Sequence, residues 1–225
     1  MNDNFWAVLE KIKPEIEAFH EHFLRMENKH FKGTQVFFSP FLPEPRFLFI
    51  GINPGAGYFR ENKAPVKRFS PMEHFEYLHY NYQLAKETRT VFKTAGILND
   101  LKRSMKINYY SFATNDQKEL DQLLCSAKAE KVWHKSKIWT DRLIMAINPE
   151  IIICEGRHVF LKIVQSEKIT AFSDGIYTAH VGGKLVIGYS RYRSLIRNKT
   201  ALASLLAQLN IEKSDIENLV KIESA

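Results

Sequence analysis

Phe47-Leu48-Phe49-Ile50-Gly51-Ile52-Asn53-Pro54-Gly55-Ala56-Gly57 is an unbroken apolar run that ends in a turn rich in glycine and proline. An apolar run of this length, bounded by turn residues, predicts a buried β-strand. The polar turn after such a strand lies at the carboxyl edge of its sheet, where open α/β folds bind ligands. The turn carries a neutral amide, Asn53, where a phosphate-binding loop carries glycines or a lysine. We therefore expect a site that orients a water molecule or a base edge rather than one that holds a phosphate.

Three further segments have the composition of strands, and segments with helical periodicity separate them. They are residues 107–111, 150–154 and 184–189, and the last is predicted to form a hairpin with 176–181 through Gly182-Gly183. Strands that alternate with helices imply right-handed crossovers and a parallel sheet covered on both faces. The predicted fold class is α/β, a three-layer αβα sandwich with a central four-stranded parallel sheet.

The length of 225 residues and the apolar content of 45% suit one hydrophobic core. No linker or low-complexity segment divides the chain, so we predict a single domain over residues 1–225, with an N-terminal helical extension at about 1–30. Ser70-Pro71 has the residues of a helix cap and first helical position, which predicts a helix from Pro71. Another helix is predicted near 194–209, followed by a short terminal helix at 212–222.

Charge and cysteine content restrict the partners and the compartment. Lysine and arginine total 32 against 25 acidic residues, a net charge of +7, which favours a polyanion such as nucleic acid. A basic protein without such a partner is the alternative. Cys154 lies in an apolar run and is expected to be a buried, reduced thiol, and Cys125 is too distant to form a metal or disulfide motif with it. The sequence has no signal-peptide core and no apolar run of roughly 20 residues, so we expect a cytoplasmic protein without membrane contact. We also expect the protein to be a monomer.

Polar side chains follow three of the predicted strands. Asn53 follows the first, Asn108 lies on the second, and Ser190 and Arg191 follow the last. Because the carboxyl ends of parallel strands meet at one edge of a sheet, these side chains are expected to lie around one cleft. Standard nucleotide, serine-hydrolase and zinc-protease motifs do not fit the sequence.

Two of these segments resemble motifs of the uracil-DNA glycosylase superfamily. Gly51-Ile52-Asn53-Pro54-Gly55 is similar to the first motif, which reads G-I-N-P-G in the mismatch-specific branch and G-M-N-P-G in the single-strand-selective monofunctional branch. Asn108-Tyr109-Tyr110-Ser111-Phe112 resembles N-Y-C-P-L of the latter branch. The order and approximate spacing of the elements fit over residues 46–209. The resemblance implies a uracil-DNA glycosylase-like fold and a monofunctional DNA N-glycosylase of base-excision repair. Such an enzyme hydrolyses the glycosidic bond of a deaminated base, uracil first, in single- or double-stranded DNA and needs no cofactor and no metal.

The resemblance also implies roles for individual residues. Asn53 matches the residue that positions the hydrolytic water, and Asn108 matches the asparagine that reads the flipped base. The backbone at Ile52 completes the base pocket, and Phe69 is the candidate that stacks on the base. Cleavage leaves negative charge on the departing base, and fixed donors aimed at that base stabilise the transition state. Alternative stacking residues are Tyr58 and Phe59.

The last motif departs from the family pattern. Ser190 matches a serine that contacts a DNA phosphate, but the histidine that donates to the uracil carbonyl in many branches falls on Gly188. The mismatch-specific branch also lacks this histidine. Arg191 and Arg193 are candidates for phosphate contacts, and Tyr192 for the wedge that fills the place of the flipped base. Two other functions remain open: a nucleic-acid-binding protein without catalysis, and a hydrolase of a small nucleoside or nucleotide.

Overall fold

The computed structural model of the protein describes the backbone of residues 3–59, 66–126 and 129–223, and the side chains of 4–57, 67–125 and 131–211. The strands are β1 (Gly33–Gln35), β2 (Phe47–Gly51), β3 (Val66–Arg68), β4 (Ser104–Asn108), β5 (Phe112–Ala113), β6 (Ile151–Cys154), β7 (Thr170–Ser173), β8 (Ile176–Val181), β9 (Lys184–Tyr189), β10 (Arg191–Tyr192) and β11 (Leu195–Ile196). The α-helices are α1 (Asp3–Arg25), α2 (Glu76–His79), α3 (Gln83–Thr94), α4 (Gln117–Ser126), α5 (Ala129–Ile147), α6 (Arg157–Val164) and α7 (Lys199–Glu223). Two 3-10 helices span Ala56–Phe59 and Leu98–Arg103.

The main sheet has six strands in the order β4-β2-β6-β9-β8-β7. The first four pair in parallel. Three of them, β2, β6 and β9, match predicted strands, whereas β4 ends at Asn108 and shares only residues 107 and 108 with the predicted strand 107–111. The sheet is larger than the predicted four strands because β8 and β7 continue it in the antiparallel sense beyond β9. In the parallel part, Gly51 is the register partner of Asn108, and Cys154 is the partner of Gly188.

Helices cover both faces of this sheet, which confirms the α/β class. Successive side chains of a strand point to opposite faces. Leu48 and Ile50 of β2 are buried in a core with residues of α1, α4, α5 and α6. Phe47 and Phe49 are buried in a second core with residues of α3 and α7. We call the first of these faces the α5 face and the second the α3 face.

Helix α1 is packed into the fold rather than appended to it. Its side chains Phe5, Ile12 and Phe23 are fully buried in the core on the α5 face, and the helix packs against α5. Pro14 lies inside α1, which continues past it to Arg25. A small sheet of order β3-β1-β5 lies beside the main sheet. Within the described residues, no helix combines the length and the apolar character needed to cross a membrane.

The prediction of a helix from Pro71 is wrong. The backbone N–H of Met72 donates to Ser39 O at 2.9 Å, and that of Glu76 donates to Phe38 O at 3.1 Å. These bonds to a distant segment hold residues 72–75 outside a helix, and the short helix α2 begins only at Glu76.

The C-terminal region also differs from the prediction. Residues 195–196 pair with β10 as a hairpin instead of opening a helix. Asn198 has a positive φ of 53°, and its side-chain oxygen accepts a bond from the N–H of Ala201 at 3.3 Å. That cap sets the start of α7 at Lys199, and the backbone is one helix to Glu223 rather than two.

Candidate active site

A cleft of about 1360 Å³ lies at the carboxyl edge of the parallel strands. The ends of all four strands contribute to it: Gly51 of β2, Asn108 of β4, Glu155 after β6 and Ser190 after β9. The predicted residues Ile52, Asn53, Arg191 and Arg193 also line it. The structure thus brings most of the predicted site residues to one place, and their roles remain predictions.

The amide of Asn53 is held in one orientation. Its Nδ2 donates to the carbonyl oxygens of Pro54 at 3.1 Å and Phe112 at 3.3 Å, and its third contact is to Thr114 Oγ1 at 3.0 Å. Because all three contacts use the nitrogen, the amide cannot flip without losing them. The carbonyl oxygen of Asn53 is therefore fixed as a hydrogen-bond acceptor at the cleft.

The amide of Asn108 has a different environment. The residue is 7% exposed, and no described residue forms a hydrogen bond with its side chain. Its Oδ1 lies across the α-carbon of Gly51: a Cβ at position 51 would be 2.1 Å from that oxygen. A glycine at position 51 is what makes room for the amide. An amide that is nearly buried without a partner is costly, and a ligand that fills the cleft can satisfy it.

Arginines lie along the wall formed by β10, β11 and the start of α6. The cleft is lined there by Arg157, Arg191, Arg193 and Arg197. Within the described part of the chain, none of the four forms an ion pair with a carboxylate. Arg191 acts electrostatically on the buried Glu155 at longer range. Guanidinium groups without an ion pair around one opening favour an anionic ligand.

Ser190, at the end of β9, is anchored by its backbone. Its N–H donates to Gly175 O at 2.6 Å, and its Oγ lies 3.4 Å from the Tyr177 hydroxyl. The hairpin that follows turns at Arg193-Ser194, with a φ of 53° at Arg193.

Tyr192 and Phe69 do not line the cleft. Tyr192 is 59% exposed on the outside of the β10–β11 hairpin, where it is the register partner of Leu195, which is 48% exposed. Phe69 is half-buried and packs against the core on the α5 face, with Lys13 Nζ 5.9 Å from the centre of its ring. This packing places the predicted stacking residue away from the cleft. The alternatives, Tyr58 and Phe59, have side chains outside the described residues.

The floor of the cleft contains a buried charged cluster that the sequence reasoning missed. Lys106 Nζ lies 2.6 Å from Glu76 Oε1 and 2.6 Å from Glu155 Oε2. The Tyr77 hydroxyl accepts a hydrogen bond from Lys106 and donates one to Glu155. We call these four residues, Glu76, Tyr77, Lys106 and Glu155, the floor cluster. All four side chains are nearly inaccessible, and Glu76, Lys106 and Glu155 line the cleft.

Burial shifts the pKa values of two residues of this cluster, Lys106 and Glu155. Burial lowers the pKa of Lys106 to about 8 against the opposing effect of Glu76. Burial also raises the pKa of Glu155 well above its usual range; the Glu76 carboxyl raises it further, and Arg191 lowers it. The thiol of Cys154, next to Glu155, has a pKa raised by burial, and it is the buried thiol that was predicted.

The sequence contained a signal for the floor cluster. Glu155 directly follows the buried strand β6, which is the position that singled out Asn53 after β2. Lys106 interrupts an apolar strand two residues before Asn108, so both side chains point to the α3 face of the sheet. A carboxylate after one buried strand and a lysine inside another indicate a buried ion pair at the same edge.

Among the residues that the structure describes, no group of three or more His, Cys, Asp or Glu side chains is arranged to hold a metal ion. Neither a scan against protein-family models nor a search of curated proteins finds a match to this chain.

Proposed function

We propose that the protein is a monofunctional DNA glycosylase with a uracil-DNA glycosylase-like fold, and that it hydrolyses the N-glycosidic bond of a deaminated base, uracil first. The observation that carries the proposal is the contrast between the two amides on one cleft. The Asn53 amide is clamped by three contacts of its nitrogen, and the Asn108 amide has no partner among the described residues.

The clamped amide suits the attack of water. Hydrolysis of a glycosidic bond needs a water molecule whose oxygen faces the sugar C1′. The carbonyl oxygen of Asn53, which has no hydrogen-bond partner among the described residues, accepts a hydrogen bond from one O–H of that water and so directs the water's lone pair toward C1′. Positioning of this kind contributes to the rate because the entropy of orienting the water is lost before the reaction.

The unpartnered amide suits a base edge. An amide offers a donor and an acceptor side by side, which complement the N–H and carbonyl of uracil. A base in a duplex is inaccessible, so the enzyme has to flip it into the cleft before Asn108 can read it. The enzyme would discriminate against bases that lack these groups, because such a base leaves the buried Asn108 amide unpaired.

The arginine wall suits a DNA backbone. Arg191 and Arg193 lie beside Ser190 at the strand ends, and Arg157 and Arg197 extend the positive surface. Phosphate contacts of this kind hold the strand in register and carry no sequence information. Tyr192 and Leu195 are both exposed on the adjoining hairpin, and their apolar side chains suit a wedge that fills the place of the flipped base.

The experiment that tests the proposal uses single-stranded and duplex oligonucleotides that carry uracil, hypoxanthine or xanthine. After incubation with the protein, alkali cleaves the abasic sites, and strand scission reports base release. The proposal predicts scission of at least one substrate. Salt-sensitive binding of all substrates without scission would instead identify a non-catalytic binding protein. Base release from free nucleosides alone would identify a small-molecule hydrolase.

A further inference from the structure

Glu155 lies at the floor of the cleft and takes no part in the proposed water positioning, base reading or phosphate contacts. It is 2% exposed, and its Oε2 is 3.1 Å from where a Cβ of Gly51 would lie. The same point is 2.1 Å from the Asn108 amide oxygen. The carboxyl group of Glu155 and the amide of Asn108 therefore meet over one glycine, at the place proposed for the base.

The charges around Glu155 favour a proton on the cluster. Glu76 and Glu155 share the single ammonium group of Lys106, with both distances at 2.6 Å. Two carboxylates beside one cation in a place closed to water leave an excess negative charge, and uptake of one proton removes it. Arg191, from the hairpin, is a further cation that acts on Glu155, and its lowering effect on the Glu155 pKa is smaller than the effect of burial. Among the described residues, Tyr77 donates a hydrogen bond to Glu155, Tyr189 interacts with it electrostatically, and Cys154 is its neighbour in the chain.

The position at the strand end makes Glu155, rather than Glu76, the carboxyl that reaches the base. Glu155 directly follows β6 and lies next to Gly51, whereas Glu76 belongs to α2 on the α3 face. Gly188 has no side chain to offer from β9, and the anchored nitrogen of Asn53 cannot give up a proton at neutral pH. His158 also lines the cleft, but it lies exposed at the start of α6, with its Nδ1 2.5 Å from Gln117 Nε2.

We propose that Glu155 is a catalytic acid that protonates the leaving base; the proposal rests on the proposed glycosylase function. As the bond between C1′ and the base nitrogen breaks, its electron pair moves to the base, and the Glu155 carboxyl transfers its proton to the base. The water held by Asn53 forms the new C–O bond at C1′ and releases one proton to the solvent in the cleft, and the Glu155 carboxylate takes up one proton from the solvent after the base departs. The products are the neutral base and an abasic sugar, and Glu155 is restored.

The test is the pH dependence of single-turnover base release by the wild-type protein, Glu155→Gln and Glu76→Gln. An acid is active only while it holds its proton, so the wild-type rate falls as the pH rises through the Glu155 pKa. Glu155→Gln keeps the size of the side chain and removes the proton. The expected result is a loss of about 10²-fold or more in rate. The decrease of the rate at alkaline pH, which we call the alkaline fall, should be absent in this variant.

Glu76→Gln is the matched control, because it removes the other carboxyl that Lys106 pairs with. Glu76 raises the pKa of Glu155, so this variant should retain the alkaline fall and shift it to lower pH. A variant that lost the fall altogether would contradict the assignment to Glu155.

A second readout is independent of activity. The infrared difference spectrum of wild-type protein minus Glu155→Gln at neutral pH should contain the carbonyl stretch of a protonated carboxyl. Its absence would overturn the proposal. If the wild-type protein releases a base and Glu155→Gln matches its rate and pH profile, only the role of Glu155 is refuted. If the wild-type protein releases no base from any substrate, the proposed function fails and the role fails with it.

Discussion

Replacement of Gly51 by alanine should strongly lower the rate of base release while the protein still folds. The new methyl group would lie 2.1 Å from Asn108 Oδ1, about 1.3 Å inside the shortest ordinary van der Waals contact of 3.4 Å. The backbone at position 51 is fixed by its pairing with Asn108 of β4, and the preceding Ile50 pairs with β6, so the amide of Asn108 has to move by about 1 Å. A displacement of that size at a reacting group costs about 10²-fold in rate, which corresponds to about 2.7 kcal/mol of transition-state stabilisation.

The assay is single-turnover release of uracil from an oligonucleotide, with the free energy of unfolding measured in urea on the same samples. We expect the fold to survive, because the clash is with the end of a side chain, and overpacking of this kind costs about 1–3 kcal/mol. Gly57→Ala is the matched control, since a Cβ there meets no atom of the described residues within 4 Å and should change neither quantity. A Gly51→Ala protein that releases uracil at the wild-type rate would refute the placement of the Asn108 amide in the base pocket.

Three further predictions concern the floor cluster and the core. Lys106→Met leaves two buried carboxyls without their cation, so urea denaturation at pH 7 should show a loss of about 3–5 kcal/mol. An unchanged free energy of unfolding at pH 7 would contradict this. Gly188→Ala places a methyl group 2.5 Å from the Phe160 ring and should lower the free energy of unfolding by about 1–3 kcal/mol. An unchanged denaturation midpoint would show that the core accommodates the methyl group without loss of stability. Tyr77→Phe removes a donor to the Glu155 carboxylate, which raises the Glu155 pKa and should move the alkaline fall in rate to higher pH. A shift to lower pH would refute that link.

Much of the fold follows from short-range patterns in the sequence. Buried parallel strands have continuous apolar runs, and these located β2, β6 and β9 and hence the edge at which the cleft lies. The helix predicted at Pro71 failed because its backbone bonds to residues 38–39, a contact that no local pattern reveals. The β10–β11 hairpin was missed for a related reason: strands of two residues are too short for periodicity to detect.

The site was predictable where polar residues stand out from their surroundings. Asn53 and Asn108 interrupt or follow apolar strands, and the topology brings both to the cleft. Phe69 was a poorer choice because an aromatic side chain suits a core as well as a stacking site, and here it packs against the core. Glu76 could not be assigned from the sequence, since its meeting with Lys106 depends on the position of α2 over the α3 face.

The most direct test of the account is the single-turnover rate of uracil release by Asn53→Ala relative to the wild-type protein. Loss of a fixed acceptor for the attacking water should lower this rate by at least about tenfold. The affinity for the same oligonucleotide should be retained, because the arginine wall and Asn108 are untouched. An unchanged rate of release would contradict the proposal that Asn53 orients the water.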